Sequence, residues 1–156
     1  MNRKQTTEIL TKSACSYLLH KGFSCHTEIG LSAHGRLRAD VLATDLRGNI
    51  IIAEIKSCIS DFTQDTKWEQ YLKYCDKLYF VVPQRIVPKL QTQLHTTVVG
   101  ILFLCPNTGY LRSAKPAKTV VADSNIKKQL YIRMAWRNGQ SKGNSRRTRY
   151  YLDVPD

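Results

Sequence analysis

A mixed α/β sheet with helices on its faces is the architecture this sequence predicts, and three observations predict it. Short apolar or alternating runs at residues 23–31, 36–44, 50–57, 77–83 and 98–105 are bounded by turn residues and separated by stretches of helical periodicity. Two of these runs, 77–83 and 98–105, are apolar without alternation, as strands covered on both faces are. Finally, 156 residues with 42% hydrophobic content form one domain-sized unit that buries roughly 68–70% of its extended-chain surface.

The elements follow in order. Thr6 or Thr7 is expected to cap a first helix whose apolar positions Ile9, Leu10, Ala14, Tyr17 and Leu18 recur at helical spacing. His20-Lys21-Gly22 ends it with a cationic last turn and a glycine stop. A strand over 23–31 and a turn around Ala33-His34-Gly35 lead into a hairpin of 36–44 and 50–57, joined through Leu46-Arg47-Gly48-Asn49. Ser60 or Asp61 is expected to cap a second helix with Trp68, Tyr71, Leu72 and Cys75 on one stripe. After the strand at 77–83, residues 88–94 read as a short helix. The strand at 98–105 follows, then a pairing of 109–112 with 118–121 around Lys115-Pro116, and a last helix from 124 to about 137. Residues 1–137 are expected to form the domain and 138–156 a basic, flexible tail.

The hairpin carries the chemistry. If it is centred on Arg47, Asp40 and Glu54 are equidistant from the turn and face one another. Alternation puts Lys56 on the same face as Glu54 and Asp40. Two carboxylates directly opposed across a sheet destabilise the pairing, so a cation is expected between them. The strand around Glu54 (Ile50, Ile51, Ile52, Ala53, Ile55) is nearly all apolar, and charges on a covered strand are costly unless paired or bound to metal. Hard oxygen ligands with room for water suit Mg²⁺ or Mn²⁺. Such a centre suits phosphodiester hydrolysis, with Lys56 holding the attacking water or stabilising developing negative charge.

Asp40 followed by Glu54-Ile55-Lys56 resembles the D…(D/E)xK signature of the PD-(D/E)XK nuclease superfamily. Surrounding words narrow the likeness: Arg38-Ala39-Asp40-Val41, Ala53-Glu54-Ile55-Lys56-Ser57-Cys58, Asp61-Phe62, Asp65-Thr66-Lys67-Trp68-Glu69-Gln70-Tyr71, Tyr74-Cys75-Asp76 and Leu78-Tyr79-Phe80-Val81-Val82-Pro83. Over about positions 8 to 106 the chain is similar to the MmcB-like DNA repair family within that superfamily. The resemblance implies a restriction-endonuclease-like αβββαβ core. It also implies metal-dependent hydrolysis of DNA, with Asp40 and Glu54 as ligands, the Ile55 backbone carbonyl as a third, and Lys56 as the catalytic lysine. Ala39 stands where the superfamily's nominal motif has proline, a residue that is not a ligand. Glu8, and after it Glu28, are the candidates for a further acid at the metal. Lys67 and Tyr71, at i and i+4, resemble the Q/KxxxY element of RecB-like members, which implies DNA contacts; a core position is the stronger reading for Tyr71.

Charge points to the same partner. The chain carries a net +12, and from residue 125 to 152 it has Lys127, Lys128, Arg133, Arg137, Lys142, Arg146, Arg147 and Arg149 with no acid among them. Trp136, Tyr150 and Tyr151 are interleaved, so phosphate contacts and base stacking are both available. An anionic membrane is the weaker partner, because no strongly apolar face accompanies the charges. The longest apolar run is too short to span a bilayer, and no signal-peptide core follows the basic N-terminus, so a cytoplasmic, nucleoid-associated protein is expected. Five dispersed cysteines without a CxxC pair read as reduced thiols, and the four histidines show no ligand spacing. The leading expectation is a metal-dependent DNA nuclease of repair or recombination. Its rivals are a non-catalytic DNA-binding or partner-recruiting module of the same fold, and a homodimeric junction resolvase.

Overall fold

The computed structural model describes residues 1–140. The order is α1 (Arg3–His20), β1 (Ser24–Gly30), β2 (Arg38–Thr44), β3 (Ile50–Ile55), α2 (Ile59–Thr63), β4 (Lys77–Pro83), α3 (Val87–Leu94), β5 (Gly100–Leu104), β6 (Leu111–Lys115) and α4 (Ser124–Gln140). Short 3₁₀ turns occupy Trp68–Lys73 and Gln84–Ile86. The six strands lie side by side in chain order. The β1/β2, β2/β3 and β5/β6 pairs are antiparallel, while β3/β4 and β4/β5 are parallel. This is a mixed sheet between helical layers, compatible with the restriction-endonuclease-like fold and carrying the expected αβββαβ order.

Alternation along the strands divides the core. Leu10, Ala14 and Leu18 of α1 cover Val41, Ala43, Ile51, Ala53, Ile55, Val81 and Leu102 on one face. On the other face Leu42, Ile50, Ile52, Phe80 and Ile101 pack beneath Leu90 and Leu94 of α3, Leu130 and Met134 of α4, and Tyr71. The central strands β3 and β4 are covered on both faces along most of their length, and β3 is apolar apart from Glu54. Among the described residues no helix is long and apolar enough to cross a membrane.

Several expectations about element ends give way. The first helix starts earlier, because Asn2 and Gln5 form a capping box: Oδ1 of Asn2 accepts from the Gln5 amide at 2.9 Å, and Oε1 of Gln5 from the Asn2 amide at 3.0 Å. The single second helix expected from Ser60 is replaced by the one-turn α2, capped at Cys58, and a separate 3₁₀ turn beginning at Trp68. Residues 118–121 do not pair with 109–112. Strand β6 instead pairs with β5, and the later segment is tied by Lys118 N–H to Val98 O and Val120 N–H to Asp76 O. Helix α4 runs to Gln140, past the boundary expected at 137.

Asp76 is a buried junction. Its carboxylate accepts from Ile50 N–H at 2.8 Å, from Ala122 N–H at 3.2 Å and from the Lys127 ammonium at 2.7 Å. Burial alone would raise its pKa, but Lys127 and the two amides outweigh it and hold the carboxyl below its usual range. The β2–β3 hairpin is thereby fastened to α4.

Candidate active site

The turn sets the register. Asp45 Oδ1 accepts from the amides of Arg47 (3.0 Å) and Asn49 (2.9 Å), and Gly48 adopts φ +84°, where a side chain would be strained. Pairing then runs from Thr44↔Ile50 to Val41↔Ala53, centred on Arg47 as the sequence predicts. One step beyond the last pair, Asp40 and Glu54 meet. There the ladder passes from backbone to side chains: Asp40 N–H donates to Glu54 Oε1 at 3.1 Å, and Ile55 N–H donates to Asp40 Oδ2 at 2.8 Å. Each carboxylate is aimed by an amide at the end of the hairpin.

The parallel neighbour β4 completes the floor. Glu54 stands opposite Phe80, and Lys56 N–H donates to Val81 O at 3.0 Å. The Lys56 side chain crosses the Phe80 ring, with Nζ 5.8 Å from its centroid, and reaches Asp65 Oδ2 at 2.6 Å. Phe62 and Trp68 press edge-on against the same ring at 5.3 and 5.8 Å. Asp65 is itself positioned, because its Oδ1 accepts from Lys67 N–H at 2.9 Å. Asp61 fastens the chain just past the lysine through the amides of Ser57 and Cys58 and the Ser57 hydroxyl, and Arg3 of α1 pairs with it.

Glu54 is 4% exposed and Lys56 8%, and Asp40 is half-buried. Burial, then the charge of Asp40, pushes the Glu54 carboxyl up to about 8. Asp40 is also raised, chiefly by burial, against the Ile55 amide that favours its ionised form. Among the charged groups acting on the pair, the acids Glu28 and Asp65 stand against Arg38 and Lys56. The pair is thus an acidic spot in a chain of net +12. Two opposed, desolvated carboxylates whose ionised forms are disfavoured suit a hard divalent cation, which would reverse the sign of the local field. Among the described residues no group of three or more acidic, histidine or cysteine side chains is placed to hold a metal. A cation here would rest on Asp40 and Glu54, with backbone oxygen and water for the rest, the ligand set Mg²⁺ commonly accepts.

A family model described as DNA repair protein MmcB-like matches residues 1–135. The chain belongs to the MmcB-like DNA repair protein family. PD-(D/E)XK is the superfamily expected of this family, in line with the hairpin motif. No match was found among curated proteins. The chain is similar in structure to the SPO1766 protein of unknown function from Silicibacter pomeroyi, with a TM-score of 0.72 and 23% identity, covering 87% of this chain and 88% of that one. That likeness speaks to the fold alone.

Within this family member, the sequence-predicted residues are only partly assembled. Asp40, Glu54 and Lys56 share one face. Glu8 is an exposed residue of α1, the helix on the opposite face, and is not brought to the acids. Glu28 comes nearer but pairs with Arg38 at 2.7 Å, both side chains exposed, and sits at φ 54°, where β1 departs from regular pairing. Lys67 is exposed and precedes a 3₁₀ turn of three residues per turn, so it does not share a helical face with Tyr71.

Tyr71 is 7% exposed, its hydroxyl donating to Arg38 O at 3.1 Å behind the acids, which removes it from any stacking role. Lys127 is committed to Asp76, and Arg133 Nε to Gly30 O at 2.8 Å. Lys128 and Arg137 are exposed. Arg146, Arg147 and Arg149 lie outside the described residues. Asp65 is the partner of Lys56. No spacing rule announces it, although an acid in the loop after a buried lysine strand is the place to look.

Proposed function

We propose that this chain is a Mg²⁺- or Mn²⁺-dependent DNA nuclease that hydrolyses phosphodiester bonds in repair or recombination. The observation that carries the reading is the opposed pair Asp40 and Glu54, each oriented by a backbone amide, with the nearly buried Lys56 on the same face. Asp40, Glu54 and the carbonyl of Ile55 would hold the cation, which supplies charge neutralisation at the phosphate and an acidified water. Lys56 orients the attacking water and offsets the negative charge that grows on the phosphoryl oxygens. Asp65 acts as a positioning residue, fixing the ammonium through its carboxylate. Family membership supplies the DNA repair setting.

A second reading is a binding module of the same fold, favoured by one feature: the Lys56 ammonium is already engaged by Asp65 at 2.6 Å. Purified protein with Mg²⁺ or Mn²⁺, offered plasmid, single-stranded and branched DNA, separates the two. Cleavage should be abolished by Asp40→Ala and by Lys56→Ala, with DNA binding in EDTA retained. Cleavage that survives both substitutions overturns the proposal. Salt-sensitive binding without cleavage on any substrate installs the second reading.

A further inference from the structure

Helix α4 lies on the same face of the sheet as the acidic pair, docked through Leu130 and Met134. Its outer surface has two parallel rows. Ile132 and Trp136, at i and i+4, are 52% and 69% exposed among the described residues. Beside them run Arg133 and Arg137. Arg133 is anchored on Gly30 at the end of β1, and the charge of Arg137 is felt at His26 nearer that strand's start. Strand β1 is an edge of the sheet. Between it and α4 lies a cleft of about 610 Å³, lined by Glu28, Ile29, Gly30, Ile132, Trp136 and Arg137.

The cleft points at the site. The β1/β2 register places Thr27 opposite Val41 and Ile29 opposite Ala39, so Glu28, on the cleft wall, stands beside Asp40. Arg38 pairs with Glu28, leaving the guanidinium groups of Arg133 and Arg137 to set the sign of the cleft, with Arg137 the more exposed of the two. An exposed indole beside an arginine is the arrangement that receives an unpaired base and its phosphate. A duplex keeps its bases stacked on each other and offers the indole no face. A protein partner would be expected to meet a wider apolar patch than two side chains.

We propose that the α4–β1 cleft is a single-strand binding site in which a base stacks on Trp136 and a phosphate meets Arg137, leading the strand toward Asp40 and Glu54. The destination rests on the nuclease reading; the binding does not. The two tryptophans make it measurable, since Trp68 is packed against Phe80 and Trp136 is exposed. In EDTA, oligothymidylate should quench tryptophan fluorescence of the full chain. Trp136→Ala should abolish that quenching and weaken oligothymidylate binding about tenfold, with Trp136→Phe keeping most of the affinity. Duplex affinity should be unchanged by either. Arg137→Ala should lower the salt slope of single-strand binding by about one. Residues beyond 140 are common to all these proteins and cancel in the comparison.

Oligothymidylate affinity that ignores Trp136→Ala, or a loss shared equally by duplex, overturns the proposal. Trp136-dependent binding by a protein that cleaves nothing supports the site and removes the nuclease reading. Cleavage by a protein whose single-strand binding ignores Trp136 does the reverse.

Discussion

Replacing Glu54 by glutamine in metal-free protein should make the fold more stable at high pH. Glutamine keeps an acceptor oxygen for the Asp40 amide and removes the buried charge. The glutamate carboxyl stands near 8 rather than its ordinary 4.5, and at 1.36 kcal/mol per unit that displacement sets an upper value of about 5 kcal/mol. Asp40 and Glu54 titrate as a pair, so part of the penalty passes to Asp40, and about 2–4 kcal/mol is the expected gain at pH 9.

The sign follows from proton binding. The folded protein holds the Glu54 proton more tightly than the unfolded chain does. Its contribution to wild-type stability is therefore complete below pH 4.5 and lost as the pH rises through 8. At pH 5 the two proteins should lie close together; at pH 9 Glu54→Gln should have the higher urea midpoint with an unchanged slope. Adding Mg²⁺ or Mn²⁺ should reverse the order at pH 9, because a ligand of the folded state stabilises wild type by mass action and the glutamine protein much less. A wild type that outlasts Glu54→Gln at pH 9 in EDTA would refute the electrostatic account of the pair.

Two further outcomes test the surroundings of the acids. Asp65→Ala strands the Lys56 ammonium in a nearly closed site and should cost about 3 kcal/mol in urea denaturation; the Lys56→Met, Asp65→Ala double variant should recover most of that stability without recovering cleavage. Tyr71→Phe removes the hydrogen bond to Arg38 O and should cost about 1 kcal/mol, while DNA affinity in EDTA stays unchanged, because the ring is buried.

What the sequence discloses and what it conceals divide along physical lines. The hairpin is legible because its turn chemistry is local: an aspartate that caps its own loop and a glycine at positive φ fix the centre, and strand alternation does the rest. Those two facts place Asp40, Glu54 and Lys56 together before any coordinates are known. The second helix misleads, because the stripe Trp68, Tyr71, Leu72 and Cys75 is compatible with one continuous helix. The chain between Thr63 and Trp68 is drawn instead to the site, Asp65 taking up both Lys56 and the Lys67 amide, and tertiary demand overrides a weak local preference. The start of α1 was open to reading, since Asn2 and Gln5 have capping-box spacing. The β5–β6 pairing was not, because a bulge between Ile101 and Leu102 shifts its register and no residue type signals it. Basic residues were read by sign alone, and sign does not separate Lys127, turned inward to Asp76, from Arg137, turned outward.

The Asp76 junction has a consequence for the order in which the molecule is made. Synthesis runs from the N-terminus, and the hairpin bearing the acidic pair is complete by Ile55. Its turn end, at Ile50, is held by a carboxylate whose other partners, the Ala122 amide and the Lys127 ammonium, emerge much later. The Asp76 junction can therefore close only once the first turns of α4 are made, after the residues of α1 that pack on the hairpin and those of β4 that pair with it. The helix that completes this junction through Lys127 is also the one that carries the exposed indole of Trp136.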